Sequence, residues 1–375
     1  MRIAMIGQKG IQTGARGGGI ETHVEAVATR LARGGKHDVF VYARRRYMEQ
    51  KGTRVEGVYM VYLPTLYRKN LEAIVHSFLA TAHALFGSYD IIHYHGVGPA
   101  TLAWIPRIFL HHTKIIVTFH SQDRFHAKWS FFARWYLYFG EWAAVRFPHA
   151  CIAVSHTIQV FCRERFGREV IYIPNGAVER TVTSDAWVTR FGLRPRHYLL
   201  QVGRMVPHKG IHVLIDAYRA LKQEGHALPD LVFVGAPSFT DAYMHDLKFR
   251  AGGDSQIHFL GFQEGESLAE LFAHAALYVH PSSAEGLPLV VLEAMSYGLP
   301  VLVSDIPENL EAMHHAGFSF ANKNVDDLKD KLLHLLRHPH ELESARARSR
   351  ATVRAYFHWE NIVKETEEVY RTVRH

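Results

Sequence analysis

The chain alternates between two patterns of apolar and polar residues. Short, nearly unbroken apolar runs fall at residues 2–6, 38–42, 58–63, 90–94, 114–119, 151–155 and 170–173. Between them lie longer stretches with apolar positions at helical spacing, at 21–33, 71–86, 128–147 and 158–166. Runs this short and this apolar suit strands buried on both faces, and the amphipathic stretches suit crossover helices, so the pattern predicts a parallel sheet covered on both sides. After an irregular polar stretch the alternation starts again. Strands are predicted at 198–202, 231–234, 256–259, 277–280 and 301–304, with helices ending near 224 and at 243–249, 268–274, 287–295, 325–337 and 358–373. The expected fold is α/β, two doubly wound parallel-sheet domains in tandem that face each other across a cleft: residues 1–176, a linker 177–196, a second domain 197–355, and a final helical segment 356–375.

The candidate chemistry sits in loops that follow strands. The first strand runs into Gly7-Gln8-Lys9-Gly10 and a run ending Gly17-Gly18-Gly19 before a helix opens at Glu21. Such a loop lets backbone N–H groups approach a ligand closely, but the GxGxxG spacing of a dinucleotide turn is absent, which weakens a nicotinamide-binding reading. His93, His95 and His120 lie at the carboxyl ends of strands, where ligands sit in open α/β sheets; His120 is the better candidate, and His93 and His95 read mainly as structural. The strand-to-helix turn Gly203-Arg204-Met205-Val206-Pro207-His208-Lys209-Gly210 carries two cations suited to a diphosphate. From His280 to Asp305 the sequence reads strand, loop, helix, loop, strand. Glu285 stands in the loop and Glu293 about two turns into the helix, roughly 12 Å apart, a span that suits a sugar nucleotide. The helix start itself favours phosphate.

Composition narrows the class. Hydrophobic residues make up 48% and charged residues 21%, as in ordinary globular proteins. The formal charge of +7 favours anionic partners without choosing among them. Two cysteines, Cys151 and Cys162, offer no disulfide framework or cysteine zinc site and are expected to be thiols. The 27 histidines are scattered without a metal-binding spacing and read mostly as packing or surface residues. No signal peptide or membrane span is apparent, so a cytoplasmic protein is expected. The stretch 128–147, dense in aromatic residues with Arg134 and Arg146 and with Arg124 nearby, suits either burial or peripheral contact with the membrane face.

Taken together, the motifs resemble the retaining glycosyltransferases of family 4. The matches are Glu285 to Glu293 with the continuation EAMSYGLPV, GRMVPHKG at 203–210, IPNG at 173–176, the glycine loop ending GGGIE, VTFH at 117–120 and FHW at 357–359. The resemblance implies the two-Rossmann type B glycosyltransferase fold, with the last helix returning to the first domain. Carried onto this chain, it implies that Arg204 and Lys209 hold the donor diphosphate with Gly203, that Glu293 binds the ribose hydroxyls and that Glu285 contacts the donor sugar. Gly286, Leu287 and Pro288 would offer backbone amides, and the loop at Gly261 and Phe262 would meet the base. His120 would line the reaction centre, and Gly18 and Gly19 would approach phosphate or acceptor. The implied reaction is transfer from a nucleoside diphosphate sugar to a glycan or lipid-linked acceptor, with no cofactor, no required metal and no nucleic-acid partner. Ala177-Val178 replaces the Val-Asp common after IPNG, which puts one linker contact in doubt. A nucleotide-sugar epimerase fits the motif pairing less well. A non-catalytic carbohydrate- or nucleic-acid-binding protein would have no use for both glutamates together with both cations.

Overall fold

The computed structural model describes residues 1–14, 17–48, 52–68, 71–122, 131–237 and 240–374. Arg124 and residues 15–16 of the glycine loop fall outside them. The chain divides into two compact units, residues 1–175 with 359–375, and residues 176–358.

Unit 1 is built on eight strands: β1 (Arg2–Ile6), β2 (Asp38–Ala43), β3 (Arg54–Val55), β4 (Val58–Tyr62), β5 (Ile91–His95), β6 (Lys114–Phe119), β7 (Ala150–Ala153) and β8 (Ile171–Tyr172). Their order is β3-β4-β2-β1-β5-β6-β7-β8, and only the β3/β4 pair is antiparallel. Every residue of β5 is buried, His93 and His95 included, the two-sided burial of a central parallel strand. The helix Trp359–Arg374 belongs to this unit. It presents Trp359, Ile362, Val363, Val369 and Tyr370 as a buried stripe, with Tyr370 OH 2.7 Å from His93 Nδ1 and Glu367 2.9 Å from His37.

Unit 2 carries β9 (Tyr198–Val202), β10 (Asp230–Val234), β11 (Ile257–Phe259), β12 (Leu277–His280), β13 (Val301–Ser304) and β14 (Phe318–Phe320), in the order β11-β10-β9-β12-β13-β14, all parallel. Chain order reverses between β9 and β12. A crevice opens outside the carboxyl ends of strands at such a switch point, because successive crossovers depart to opposite faces. In unit 1 the same reversal lies between β1 and β5.

Residues 177–196, expected to form a linker, fold into unit 2. Ala177 pairs with His358, and the helix Ala186–Arg190 is held by Glu270, which accepts from Ser184 Oγ and from the N–H of Trp187 at 2.6 Å each. The helix Pro339–Tyr356 was not expected. Its buried face includes Ala345, Ser349 and Thr352, small or polar residues that leave little apolar periodicity. The helix Pro307–Met313 and strand β14 are likewise additions. No described helix is long and apolar enough to cross a membrane.

Candidate functional site

In unit 2 the loops after β9 and β12, which flank the switch point, are bonded to each other. The His208 carbonyl accepts from Ser283 N at 2.8 Å, Ser282 Oγ at 3.2 Å and Ser283 Oγ at 3.3 Å. Gly210 takes φ +67, and a Cβ there would run into the Pro281 carbonyl. Only glycine permits this approach without strain, and the approach brings Lys209 to the β12 loop. Gly210→Ala is therefore expected to cost about 3 kcal/mol, from positive-φ strain and lost loop packing, seen as a lower denaturant midpoint. An unchanged midpoint would mean that the two loops are slack.

Lys209 Nζ lies 2.5 Å from Glu285 Oε1, and the same oxygen is 2.9 Å from His280 Nε2. Lys209 and Glu285 side chains are each 12% exposed, and His280 is fully buried at the end of β12. Burial alone would raise the Glu285 carboxyl, but the Lys209 charge and the His280 bond outweigh it and hold it well below the usual carboxylate range. Burial lowers His280 despite its bond to Glu285, so the ring is neutral. A neutral ring facing an ionised carboxylate donates from Nε2, and its Nδ1 lies 3.2 Å from the Tyr278 hydroxyl, whose one proton also faces the Val202 carbonyl at 3.2 Å.

Arg204 is exposed, and its guanidinium has no hydrogen-bond or ion-pair partner among the described residues. Gly203 beside it takes φ +154. Glu293 lies in the helix Leu289–Ser296, which is apolar on every side and buries Val291, Leu292, Ala294 and Met295. That helix starts later than expected, so Glu293 is one turn inside it, not two. Burial raises the Glu293 carboxyl, with the field of Arg180 opposing. Its side chain makes no hydrogen bond among the described residues, so it is available to hydroxyl groups.

Pro288 is the residue before this helix and, having no N–H, cannot serve as an amide donor. Gly286 can, and the first helical N–H groups at Leu289 and Val290 have no intrahelical acceptor. Gly261, at φ +68, accepts from Gly235 N at 2.8 Å through its carbonyl, and Phe262 beside it is 39% exposed.

Two residues of this site were not anticipated. His280 was open to the same argument that singled out His120, a histidine at a strand's carboxyl end. Gln201 on β9 gave no signal. It is fully buried, with neither amide atom hydrogen-bonded among the described residues, beside Gly203.

In unit 1, Gly19 opens the helix Gly19–Arg33 with Gly18 extended before it, and Glu21 and Glu25 of that helix accept from Lys9 N and Gln12 N at 3.0 and 2.8 Å. The tight glycine here is Gly7, at φ +126, where a Cβ would meet the His95 carbonyl. His93 is structural, fully engaged by Tyr370 and by Thr118 Oγ1 at 2.7 Å. His120 follows β6, with Nε2 3.2 Å from His95 Nδ1 and its ring 4.7 Å from that of His23. On the helix Phe131–Arg146, Trp135 and Trp142 are 68% and 38% exposed, while Ala143 and Ala144 are buried. The side chain of Arg134 falls outside the described residues. Both cysteines are free thiols.

Comparison with known proteins covers both units. Residues 17–178 match the model described as Glycosyltransferase Family 4, and residues 190–352 match the one described as Glycosyl transferases group 1. The O-antigen chain mannosyltransferase B of Escherichia coli is 32% identical over 200 residues, 53% of this chain and 51% of that protein, so the chain spans about half the length of this relative. Among solved structures, sucrose-phosphate synthase from Thermosynechococcus elongatus aligns with a TM-score of 0.85 at 19% identity, covering 100% of this chain and 99% of that one. Anabaena HepE in complex with UDP-glucose aligns at a TM-score of 0.80 and 19% identity, over 99% and 100% of the two chains. These likenesses establish the fold as that of type B glycosyltransferases.

Proposed function

Because the chain belongs to the family 4-type glycosyltransferases, joining a Glycosyltransferase Family 4 domain to a group 1 domain, we propose that it moves a sugar from a nucleoside diphosphate donor to a glycan or lipid-linked acceptor, with retention at the anomeric carbon. The observation that carries this reading is the pairing of the β9 and β12 loops in unit 2. They place Lys209, Glu285 and His280 in one bonded chain, with the exposed guanidinium of Arg204, unpaired among the described residues, on the same loop as Lys209. As the bond to the sugar breaks, negative charge develops on the departing diphosphate. Arg204, Lys209 and the free N–H groups at the start of Leu289–Ser296 supply positive potential fixed in advance. Glu293 takes the ribose hydroxyls, and Glu285 orients the sugar.

Glu285 is ionised but already bonded on one oxygen to two partners, which argues against its serving as a free nucleophile. Attack from the same face, with the leaving phosphate accepting the acceptor's proton, needs no such nucleophile. The charge on the diphosphate is met by side-chain cations in this reading, and no metal is assigned to that role.

The test is a panel of UDP-, GDP- and ADP-sugars with candidate saccharide acceptors, followed by nucleoside diphosphate release and by NMR of the product anomer. One donor is expected to raise the melting temperature and to give an acceptor-dependent product of unchanged anomeric configuration. Glu293→Ala is expected to lower kcat/KM for that donor about 100-fold, the worth of a charged hydrogen-bond pair. Conversion of a donor to its epimer without acceptor would replace this reading with epimerisation, and an inverted product would remove retention.

A further inference from the structure

Three histidines far apart in sequence meet in unit 1. His23 comes from the helix after the glycine loop, His95 from the end of β5, and His120 from the residue after β6. All three are buried, at 4%, 1% and 7% exposure, and one ring nitrogen from each lies within 4.8 Å of the other two. They stand at the switch point of the sheet, where β1 and β5 are neighbours and the crossovers diverge.

Hydrogen bonding marks these rings as more than packing. His23 Nδ1 is 2.9 Å from Asn175 Oδ1, so its proton sits on Nδ1 and its Nε2 lone pair is left free. An outer carbonyl fixing the tautomer of a ligating imidazole is the usual second partner in histidine metal sites. His95 Nδ1 and His120 Nε2 approach to 3.2 Å. Nitrogens bound to one tetrahedral zinc at roughly 2.0–2.1 Å stand about 3.3 Å apart, so this pair is already at the spacing of two ligands. His95 Nε2 is buried with no hydrogen-bond partner among the described residues. A ring that offers its lone pair at Nδ1 carries its proton on this Nε2. His93, by contrast, has both nitrogens engaged and cannot join.

We propose that His23, His95 and His120 form a three-histidine site for a divalent ion of the zinc class, with the fourth position left to water. An all-imidazole set suits zinc, copper, nickel and iron over magnesium or calcium, which take oxygen ligands. Binding closes the remaining separation to His23 and ties its helix to two strands of the sheet. The site shares no residue with the loops of unit 2 but includes His120, expected from the sequence to line the reaction centre, so its test is binding, not turnover.

The experiment uses the full chain freed of metal by a chelator, then titrated with Co²⁺ and Zn²⁺ by absorption and calorimetry. One equivalent of Co²⁺ is expected to give the intense visible bands of a four-coordinate site, displaced by Zn²⁺, with a higher melting temperature in Zn²⁺. His23→Asn and His95→Asn are each expected to lower affinity more than 100-fold, and Asn175→Ala about 10- to 100-fold, as outer-partner losses do. X-ray absorption on the zinc-loaded wild-type protein, which needs no variant to fold, is expected to count three imidazoles. Absence of Co²⁺ binding, or fewer than three imidazoles around zinc, would overturn the site. So would binding that survives both histidine variants and is lost on His334→Ala. That outcome would move the ion to the surface cluster of His334, His338 and Glu341, whose ligand atoms also lie within 4.8 Å of one another.

Discussion

Replacing Lys209 by alanine is expected to reduce sugar transfer by about 1000-fold, the loss typical when a fixed donor to developing negative charge is removed. The same change carries a stability cost. Among the described residues, Lys209 is the only formally charged partner of a carboxylate that is 12% exposed. Leaving Glu285 without it is expected to destabilise unit 2 by about 3 kcal/mol. His280 limits this loss, since its ring is 2.9 Å from the carboxylate and can take a proton once the lysine charge is gone. The double replacement Lys209→Met with Glu285→Gln removes both charges and should recover most of the stability, because the penalty belongs to the unpaired ion and not to the missing pair. It should recover none of the turnover. Denaturant titrations and steady-state rates on the two variants therefore separate the two roles. A single variant that turns over normally would take Lys209 out of the site, and a double variant that regains activity would reduce the pair to a structural one.

Much of the architecture behind this site was legible because burial on both faces leaves a mark on sequence. The runs at β1, β5, β6, β9, β12 and β13 are apolar enough to read as strands, and glycine or proline directly follows β1, β5, β9 and β12. The loops that bear Arg204, Lys209 and Glu285 could be placed because each follows such a run. Pairings between loops were not legible. Lys209 and Glu285 are 76 residues apart, and their contact depends on Gly210 lying against Pro281, a steric fact of three dimensions. The fold of residues 177–196 rests on Glu270, whose carboxylate caps a short helix more than 80 residues upstream. The helix Pro339–Tyr356 escaped notice because its buried face includes alanine, serine and threonine, which hydropathy does not separate from a solvated surface. His95 and His120 were legible as strand-end residues, but their meeting with His23 was not, because each of the three comes from a different part of the sheet and no local spacing records it.

Those histidines also set how the chain should respond to acid. Between pH 7 and pH 5 the stability of unit 1 is expected to fall by several kcal/mol, with unit 2 losing less. Burial lowers His23 to about 4 and His93 to about 3, and it lowers His95 and His120 well below the usual value, with neighbouring rings adding to the effect. His76 and His149, in the same unit, are each lowered to about 4 by burial and nearby cations. A histidine with a folded pKa below its unfolded value binds fewer protons when folded. Its contribution is fully present above about pH 6.5 and is lost as pH falls toward the folded value, at about 1.4 kcal/mol per pH unit for each proton taken up.

Unit 2 has fewer such groups. His212 and His280 are lowered, while Glu285 is depressed, so the part of unit 2's stability that depends on Glu285 ionisation persists until pH drops below the usual carboxylate range. Glu293 and Glu308 are raised by burial and work in the opposite sense, gaining stability as they protonate. Hydrogen exchange at pH 7 and pH 5.5, corrected for the intrinsic rate and run in chelator, separates the units. Amides of β5 and β6 should lose protection before those of β9 and β12. Equal loss in both sheets, or a denaturant midpoint that does not move between pH 7 and pH 5, would mean that the buried rings of unit 1 are not held neutral by the fold.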